Sequence, residues 1–277
     1  MRTLYVSDLD GTLLNREQSV GEESIRILND LIGRGLHFTI ATARSMESAL
    51  PLLERLHLKL PGIFINGVFI ADLKSGQIIQ SHYLPNSLGE EIVESYLQAG
   101  LKPVVYTVDH EGRPRVYYRG IHNASEEHYI GDRLLRQDGR FRLINDYSAC
   151  LTEKLITINA IDLPEKLEDV YLKFANRPEC IRHYGPDIYA PGYHWLEISS
   201  AQATKSQAVQ YLKEAYGYER LVCFGDNLND LSMFEMADEC YAVGNAHDLV
   251  KKAATRIIDT HDHDGVARFL RERHLIG

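Results

Sequence analysis

The chain opens on a short apolar run, Leu4-Tyr5-Val6, that ends in polar residues, the pattern of a buried strand. Ile25, Leu28, Leu31 and Ile32 then recur at helical spacing, and Gly33 and Gly35 close that segment. His37-Phe38-Thr39-Ile40-Ala41 reads as a second strand. Ser45 is placed to cap a second helix carrying Leu50, Leu53 and Leu56 on one face, with Pro51 marking a kink or a late start. Pro61-Gly62 precedes a third strand, Ile63-Phe64-Ile65. Strands alternating with helices predict a parallel sheet with crossover connections.

Between residues 83 and 187 that alternation breaks. Strand-like runs such as Pro103-Val104-Val105-Tyr106 and Leu155-Ile156-Thr157-Ile158 mix with helix-like runs near residues 86–99 and 164–175, which predicts a separate α+β domain. The α/β pattern returns near residue 196. Lys205, Ala208, Val209, Leu212 and Ala215 share a helical face, and Leu221-Val222-Cys223-Phe224 is a strand. Leu231, Phe234 and Met236 belong to the next helix, Tyr241-Ala242-Val243 and Ile257-Ile258 to further strands, and residues 265–274 to a last helix. Both chain ends, 1–82 and 188–277, are therefore expected to build one domain, with 83–187 inserted into it. Hinges are expected near Leu84-Pro85 and between Pro186 and Pro191, where prolines restrict the chain.

Composition narrows the function. The 277 residues, 44% hydrophobic and 25% charged, have the make-up of a soluble globular protein. A formal net charge of -9 argues against a nucleic-acid binder, which would carry a basic patch. It does not argue against anionic small molecules, because a few local cations and a metal decide that. No apolar stretch is long enough for a membrane span, and the N-terminus lacks a signal-peptide pattern. Cys150, Cys180, Cys223 and Cys240 include no Cys-x-x-Cys pair, so a zinc or redox motif is not expected. Free thiols and a cytoplasmic location are the expectation.

Two clusters carry chemistry. Asp8-Leu9-Asp10-Gly11-Thr12 follows a strand directly, and ligands of open parallel sheets bind at the carboxyl ends of strands. Of two carboxylates there, one suits nucleophilic attack and the other proton transfer, although Asp and Gly also form turns for local reasons alone. Gly225-Asp226-Asn227-Leu228-Asn229-Asp230 also follows a strand and opens a helix. Asp226 and Asp230 could serve Mg²⁺, or the cluster could simply cap the helix. Thr42 stands where a strand meets a helix, a place that binds anions. Lys205 opens a helix, where a cation opposes the helix dipole, a misfit that favours function. Asp259-Thr260-His261-Asp262-His263-Asp264 lacks a regular ligand spacing and reads as a polar loop before the last helix. Asn123-Ala124-Ser125 fits a glycosylation signal that stays idle without a secretory leader.

In this order, Asp8-Leu9-Asp10-Gly11-Thr12, Thr42, Lys205 and Gly225-Asp226-Asn227-Leu228-Asn229-Asp230 resemble the four motifs of the haloacid dehalogenase superfamily. The long insert and Ile65-Asn66-Gly67 resemble its Cof-type (subfamily IIB) phosphatases, which have a C2 cap. The resemblance implies an α/β fold: a Rossmann-like parallel-sheet core with an inserted α+β cap that sets substrate specificity. It implies a Mg²⁺-dependent phosphatase of small phosphorylated metabolites, with sugar phosphates the default; neither nucleic acid nor membrane is expected as partner, on the charge and apolar-run grounds above. Asp8 would become aspartyl phosphate, and Asp10 would protonate the leaving oxygen and then activate water. Leu9, Thr42, Ala43, Lys205 and Asn229 would hold the phosphate. Asp8, the Asp10 carbonyl and Asp226 would bind Mg²⁺, with Asp230 supporting the metal from behind. A phosphomutase of the same chemistry and a non-catalytic phospho-ligand module are the alternatives. The chain departs from the pattern at Ala43 and Ser206, where relatives often carry glycine.

Overall fold

The computed structural model describes residues 2–187 and 190–275. They fall into two compact units, one from Met1–Ser81 with Ala203–Gly277 and one from His82–Gln202. In chain order the first unit begins with β1 (Thr3–Ser7), α1 (Glu22–Gly33), β2 (His37–Ile40), α2 (Met46–Leu53), β3 (Gly62–Phe64), β4 (Phe69–Ala71) and β5 (Ile78–Ser81). The second unit supplies α3 (Asn86–Gln98), β6 (Val104–Val108), β7 (Pro114–Tyr118), α4 (Ala124–Glu126), α5 (Asp132–Leu135), β8 (Phe141–Leu143), β9 (Lys154–Asp162), α6 (Pro164–Lys173), β10 (Cys180–Pro186) and β11 (His194–Ser200). The first unit resumes with α7 (Lys205–Ala215), β12 (Arg220–Gly225), α8 (Leu231–Phe234), β13 (Glu239–Val243), α9 (Asp248–Ala253), β14 (Arg256–Ile258) and α10 (Gly265–Leu275).

The first unit is built on a parallel five-stranded sheet in the order β14-β13-β12-β1-β2. Its central strands are buried on both faces, which is why they read as continuous apolar runs. The α1 helix buries Ile25, Ile27, Leu28, Leu31 and Ile32. Fully burying a side chain of this kind is worth about 1.5–3 kcal/mol, so this stripe fixes the helix far more firmly than its propensity does. A bridge from Ala41 to Ile63 continues the sheet into the antiparallel β3-β4-β5 meander.

The second unit holds a six-stranded sheet in the order β10-β11-β9-β6-β7-β8, antiparallel except where β7 meets β8. One core gathers Leu88, Ile92 and Tyr96 of α3 with Leu167 and Val170 of α6 around Val105, Ile158, Leu196 and Ile198 of the sheet.

Several local expectations change. The segment after the insert begins at Ala203, not at 188, because β11 pairs with both β9 and β10 and so completes the second unit's sheet. Sequence patterning missed this because an apolar strand looks alike in either sheet. Ile188 and Tyr189, within the expected second hinge, lie outside the described residues. So do Met1, Ile276 and Gly277 at the ends of the expected core. Ile65 leaves β3 for a single 3-10 turn with Asn66 and Gly67, all at positive φ. Leu56 and Met236 fall just beyond α2 and α8. All four cysteines are free and buried. Among the described residues, no helix is long and apolar enough to cross a membrane.

Candidate active site

The site lies at the carboxyl edge of the parallel sheet. In the register, Ser7 at the end of β1 stands beside Phe224 of β12 and Ile40 of β2. The next residue, Asp8, donates its N–H to Phe224 O at 3.0 Å, and Ala41 donates to Ser7 O at 2.9 Å. Three strand ends thus present the Asp8–Thr12 loop, the Thr42 turn and the Asp226–Asp230 turn along one edge.

Lys205 ties the first and the last of these turns together. It begins α7, whose cap is the Thr204 hydroxyl accepting from Gln207 N–H at 3.1 Å. Its ammonium lies 2.5 Å from Asp8 Oδ1 and 2.7 Å from Asp230 Oδ1. Lys205, Asp8 and Asp230 are all buried. The other Asp230 oxygen, Oδ2, accepts from the N–H groups of Asp226 and Asn227 at 2.9 and 3.0 Å. Asp226 in turn accepts the Thr12 hydroxyl at 2.8 Å. Two glycines make this closeness possible. A Cβ on Gly11 would stand 2.5 Å from Asp226 Oδ2, and one on Gly225 would stand 2.6 Å from the Asp230 Cβ.

The electrostatics are unbalanced. One ammonium faces three carboxylates whose ligand oxygens lie within 4.8 Å of one another. Burial raises the Asp8 carboxyl well above its usual range, Lys205 opposes that rise, and the charges of Asp230 and Asp226 add to it. Burial and Asp230 push Asp226 up to about 6, against the Thr12 hydrogen bond and Lys205. Burial works against the Lys205 charge, but Asp230 and Asp8 outweigh it and raise the lysine. An excess of buried negative charge on hard oxygen ligands is what a divalent cation such as Mg²⁺ offsets. The residues therefore fit such an ion. Both Asp230 oxygens are already engaged, so that carboxylate is better suited to hold Lys205 and the Asp226 turn than to act as a direct ligand.

The other expected residues divide. Asp10 is exposed, and Arg44 grips both its oxygens at 2.7 and 2.6 Å. Thr42 is fully buried, and its own N–H is used by Ile63 O at 3.0 Å. Among the described residues, the amides of Leu9, Asp10 and Ala43 have no intramolecular acceptor. Asn229 donates to Asn66 Oδ1 at 3.0 Å. Asn66 is buried at φ 51, and a Cβ on its neighbour Gly67 would collide with Thr204 O. The turn at Ile65–Gly67 therefore positions both Asn229 and the start of α7.

Sequence reasoning assigned no role to Thr12, Arg44, Asn66 or Asn245. Only Asn66 gave a usable signal, an Asn-Gly pair, which tolerates positive φ. The Asp259–Asp264 loop also does more than precede a helix. His261 Nδ1 pairs with Leu14 O at 2.9 Å, and Asn245 bridges Gly11 O at 2.7 Å and His261 N at 3.1 Å. These bonds clamp the loop that begins at Asp8.

The profile of a family described as haloacid dehalogenase-like hydrolases matches residues 5–270. The chain is 29% identical over 280 residues to the 5-amino-6-(5-phospho-D-ribitylamino)uracil phosphatase YitU of Bacillus subtilis, covering 97% of this chain and 96% of that one. It is 26% identical over 273 residues to the pyridoxal phosphate phosphatase YbhA of Escherichia coli, covering 97% of each. Among solved structures, a haloacid dehalogenase-like hydrolase from B. subtilis superposes with a TM-score of 0.81 at 23% identity, covering 98% of this chain and 99% of that one.

Proposed function

This chain belongs to the haloacid dehalogenase-like hydrolases, and from that membership we propose that it is a Mg²⁺-dependent phosphatase of small phosphate monoesters that works through a covalent phosphoryl intermediate on Asp8. The observation that carries this reading is the buried bridge from Lys205 to Asp8 and Asp230 beside Asp226. It brings the Asp8 and Asp226 carboxylates and a buried ammonium together at one strand edge, which supports reading them as nucleophile, metal ligand and fixed cation.

In the first step an Asp8 oxygen attacks phosphorus and the bond from phosphorus to the leaving oxygen breaks. Asp10 gives that oxygen its proton. In the second step water attacks the phosphorus of the acyl phosphate, Asp10 takes the water's proton, and the Asp8 carboxylate is restored with release of phosphate. Both proton transfers require the Arg44–Asp10 ion pair to open. Lys205 holds Asp8 in place, and the free Leu9 and Ala43 amides are placed to donate to phosphoryl oxygens, with Thr42 and Asn229 beside them. Mg²⁺ held by Asp8, the Asp10 carbonyl and Asp226 would supply positive charge against the charge carried by the phosphoryl oxygens. Positioning and charge neutralisation supply most of the catalysis in phosphoryl transfer.

These groups recognise phosphate and nothing beyond it, so the inserted unit is proposed to choose the leaving group. The relatives act, by their names, on a ribityl-aminouracil phosphate and on pyridoxal phosphate. Small metabolite phosphates are accordingly the proposed class, with sugar phosphates the default. The test is release of inorganic phosphate from a panel of esters by purified protein with Mg²⁺. The reading fails if no ester is hydrolysed.

A further inference from the structure

Ile65, Asn66 and Gly67 follow one another at positive φ, at 48°, 51° and 106°. Two consecutive residues with a Cβ in that region are strained, and Ile65 most of all because its side chain is branched. Such strain persists only where the surroundings over-determine it. Here they do so from three sides. Ile65 N–H donates to Arg44 O at 3.0 Å and Asn66 N–H to Thr42 O at 2.9 Å, so the turn is held to both neighbours of Ala43. A Cβ on Gly67 would collide with the carbonyl of Thr204, the residue before Lys205.

What this strained turn presents is a fixed acceptor. Asn66 is 5% exposed, and its Oδ1 atom accepts from Asn229 Nδ2 at 3.0 Å. Asn229 is half-buried in the single turn Leu228–Asp230. The two ends of its carboxamide are almost the same size, so only hydrogen bonds decide which end faces which way. Turned over, the amide would set its own oxygen against Asn66 Oδ1, acceptor against acceptor. As it stands, its nitrogen end faces the Asn66 side, which is also the side of Thr42 and of the start of α7, because the same turn touches both. That nitrogen carries a second N–H beyond the one given to Asn66. A phosphoryl oxygen is an acceptor and needs that end of the amide, not the other.

We propose that Asn66 is a positioning residue for phosphoryl transfer that acts through Asn229: its Oδ1 atom pins the nitrogen end of the Asn229 amide toward Thr42 and Lys205 and leaves the second N–H for a phosphoryl oxygen. This rests on the reading above that the site transfers phosphoryl groups, and it names what keeps Asn229 a donor there.

The test is a double-mutant cycle on the full chain, read as kcat/KM for p-nitrophenyl phosphate with Mg²⁺ and as affinity for inorganic phosphate. Asn229→Ala should lower kcat/KM by about a hundredfold, the worth of one donor to a developing charge. Asn66→Gly accepts the positive φ but removes the acceptor. It should lower kcat/KM by roughly tenfold or more and weaken phosphate binding in parallel, while the urea midpoint stays near that of the wild type. The double variant should lose no more than Asn229→Ala alone, because a residue acting through Asn229 then has nothing left to act on. A merely structural role would not produce that coupling. Losses that multiply, or an Asn66→Gly variant as active as the wild type, overturn the proposal and leave the hydrolase reading intact. Should Asn66→Gly not fold, nitrogen-15 spectra of the wild type read the same orientation. The side-chain N–H signals of Asn229, assigned by their loss in Asn229→Ala, should shift when inorganic phosphate is added with Mg²⁺, and unmoved signals overturn the proposal. If the wild type hydrolyses neither this ester nor any other of the panel, the hydrolase reading fails, and the same cycle in phosphate affinity still judges Asn66. Coupled losses of affinity support it, and additive losses or absence of phosphate binding overturn it.

Discussion

The Lys205 ammonium lies 2.5 Å from Asp8 Oδ1, a contact that joins residues 197 positions apart in the chain and buries both. The pair is the mechanical centre of the site, since Lys205 also holds Asp230, which organises the turn carrying Asp226. Removing one partner of such a network strands the others without compensation.

Lys205→Met is therefore expected to cost about 3–5 kcal/mol of stability, the range for breaking a buried ion pair from one side. It should also abolish turnover. Urea denaturation with and without Mg²⁺ measures the first, and phosphate release the second. An unfolding free energy equal to that of the wild type would show that the bridge does not hold the site together.

Asp8→Asn should remove all steady-state turnover while the fold survives, because a neutral amide cannot form the acyl phosphate. Asp10→Asn should lower kcat by roughly a hundredfold to ten-thousandfold, the worth of general acid–base catalysis. Activity assays paired with circular dichroism decide both. Wild-type rates in Asp8→Asn would refute the covalent route.

Chelation should stop hydrolysis and Mg²⁺ should restore it. Ca²⁺ should substitute poorly, because its longer bonds and looser geometry misplace nucleophile and phosphate. Asp226→Ala should raise the Mg²⁺ concentration needed for half-maximal rate. Full activity in excess chelator would remove the metal from the mechanism.

In the metal-free protein, Asp226 makes a contribution of its own to the pH dependence of stability. Its folded-state pKa of about 6 lies above the ordinary value of 3.8, so between these values the folded state binds more protons than the unfolded chain. The Asp226 contribution to stability should therefore fall as pH rises through that window, since ΔG of unfolding follows the difference in bound protons. The raised Asp8 carboxyl works in the same direction. Urea titrations in chelator from about pH 4 to pH 7 measure the slope. Asp226→Asn should flatten it, and an equal slope in that variant would assign the effect elsewhere.

The sequence by itself determined the alternation of strands and helices in the first unit, because strands buried on both faces must be apolar throughout and α1 must show its stripe. It also marked Asp8, Asp10, Asp226 and Asp230, since carboxylates in turns directly after apolar strands stand out locally. What only the tertiary structure decided were relations between distant segments. Periodicity cannot say which sheet a strand joins, so β11 was assigned to the wrong unit until its pairing with β9 and β10 placed it. The grip of Arg44 on Asp10 and the support of Asn229 by Asn66 join residues 34 and 163 positions apart. Contacts of that kind leave no local pattern, because they depend on where the backbone turns bring side chains together in space.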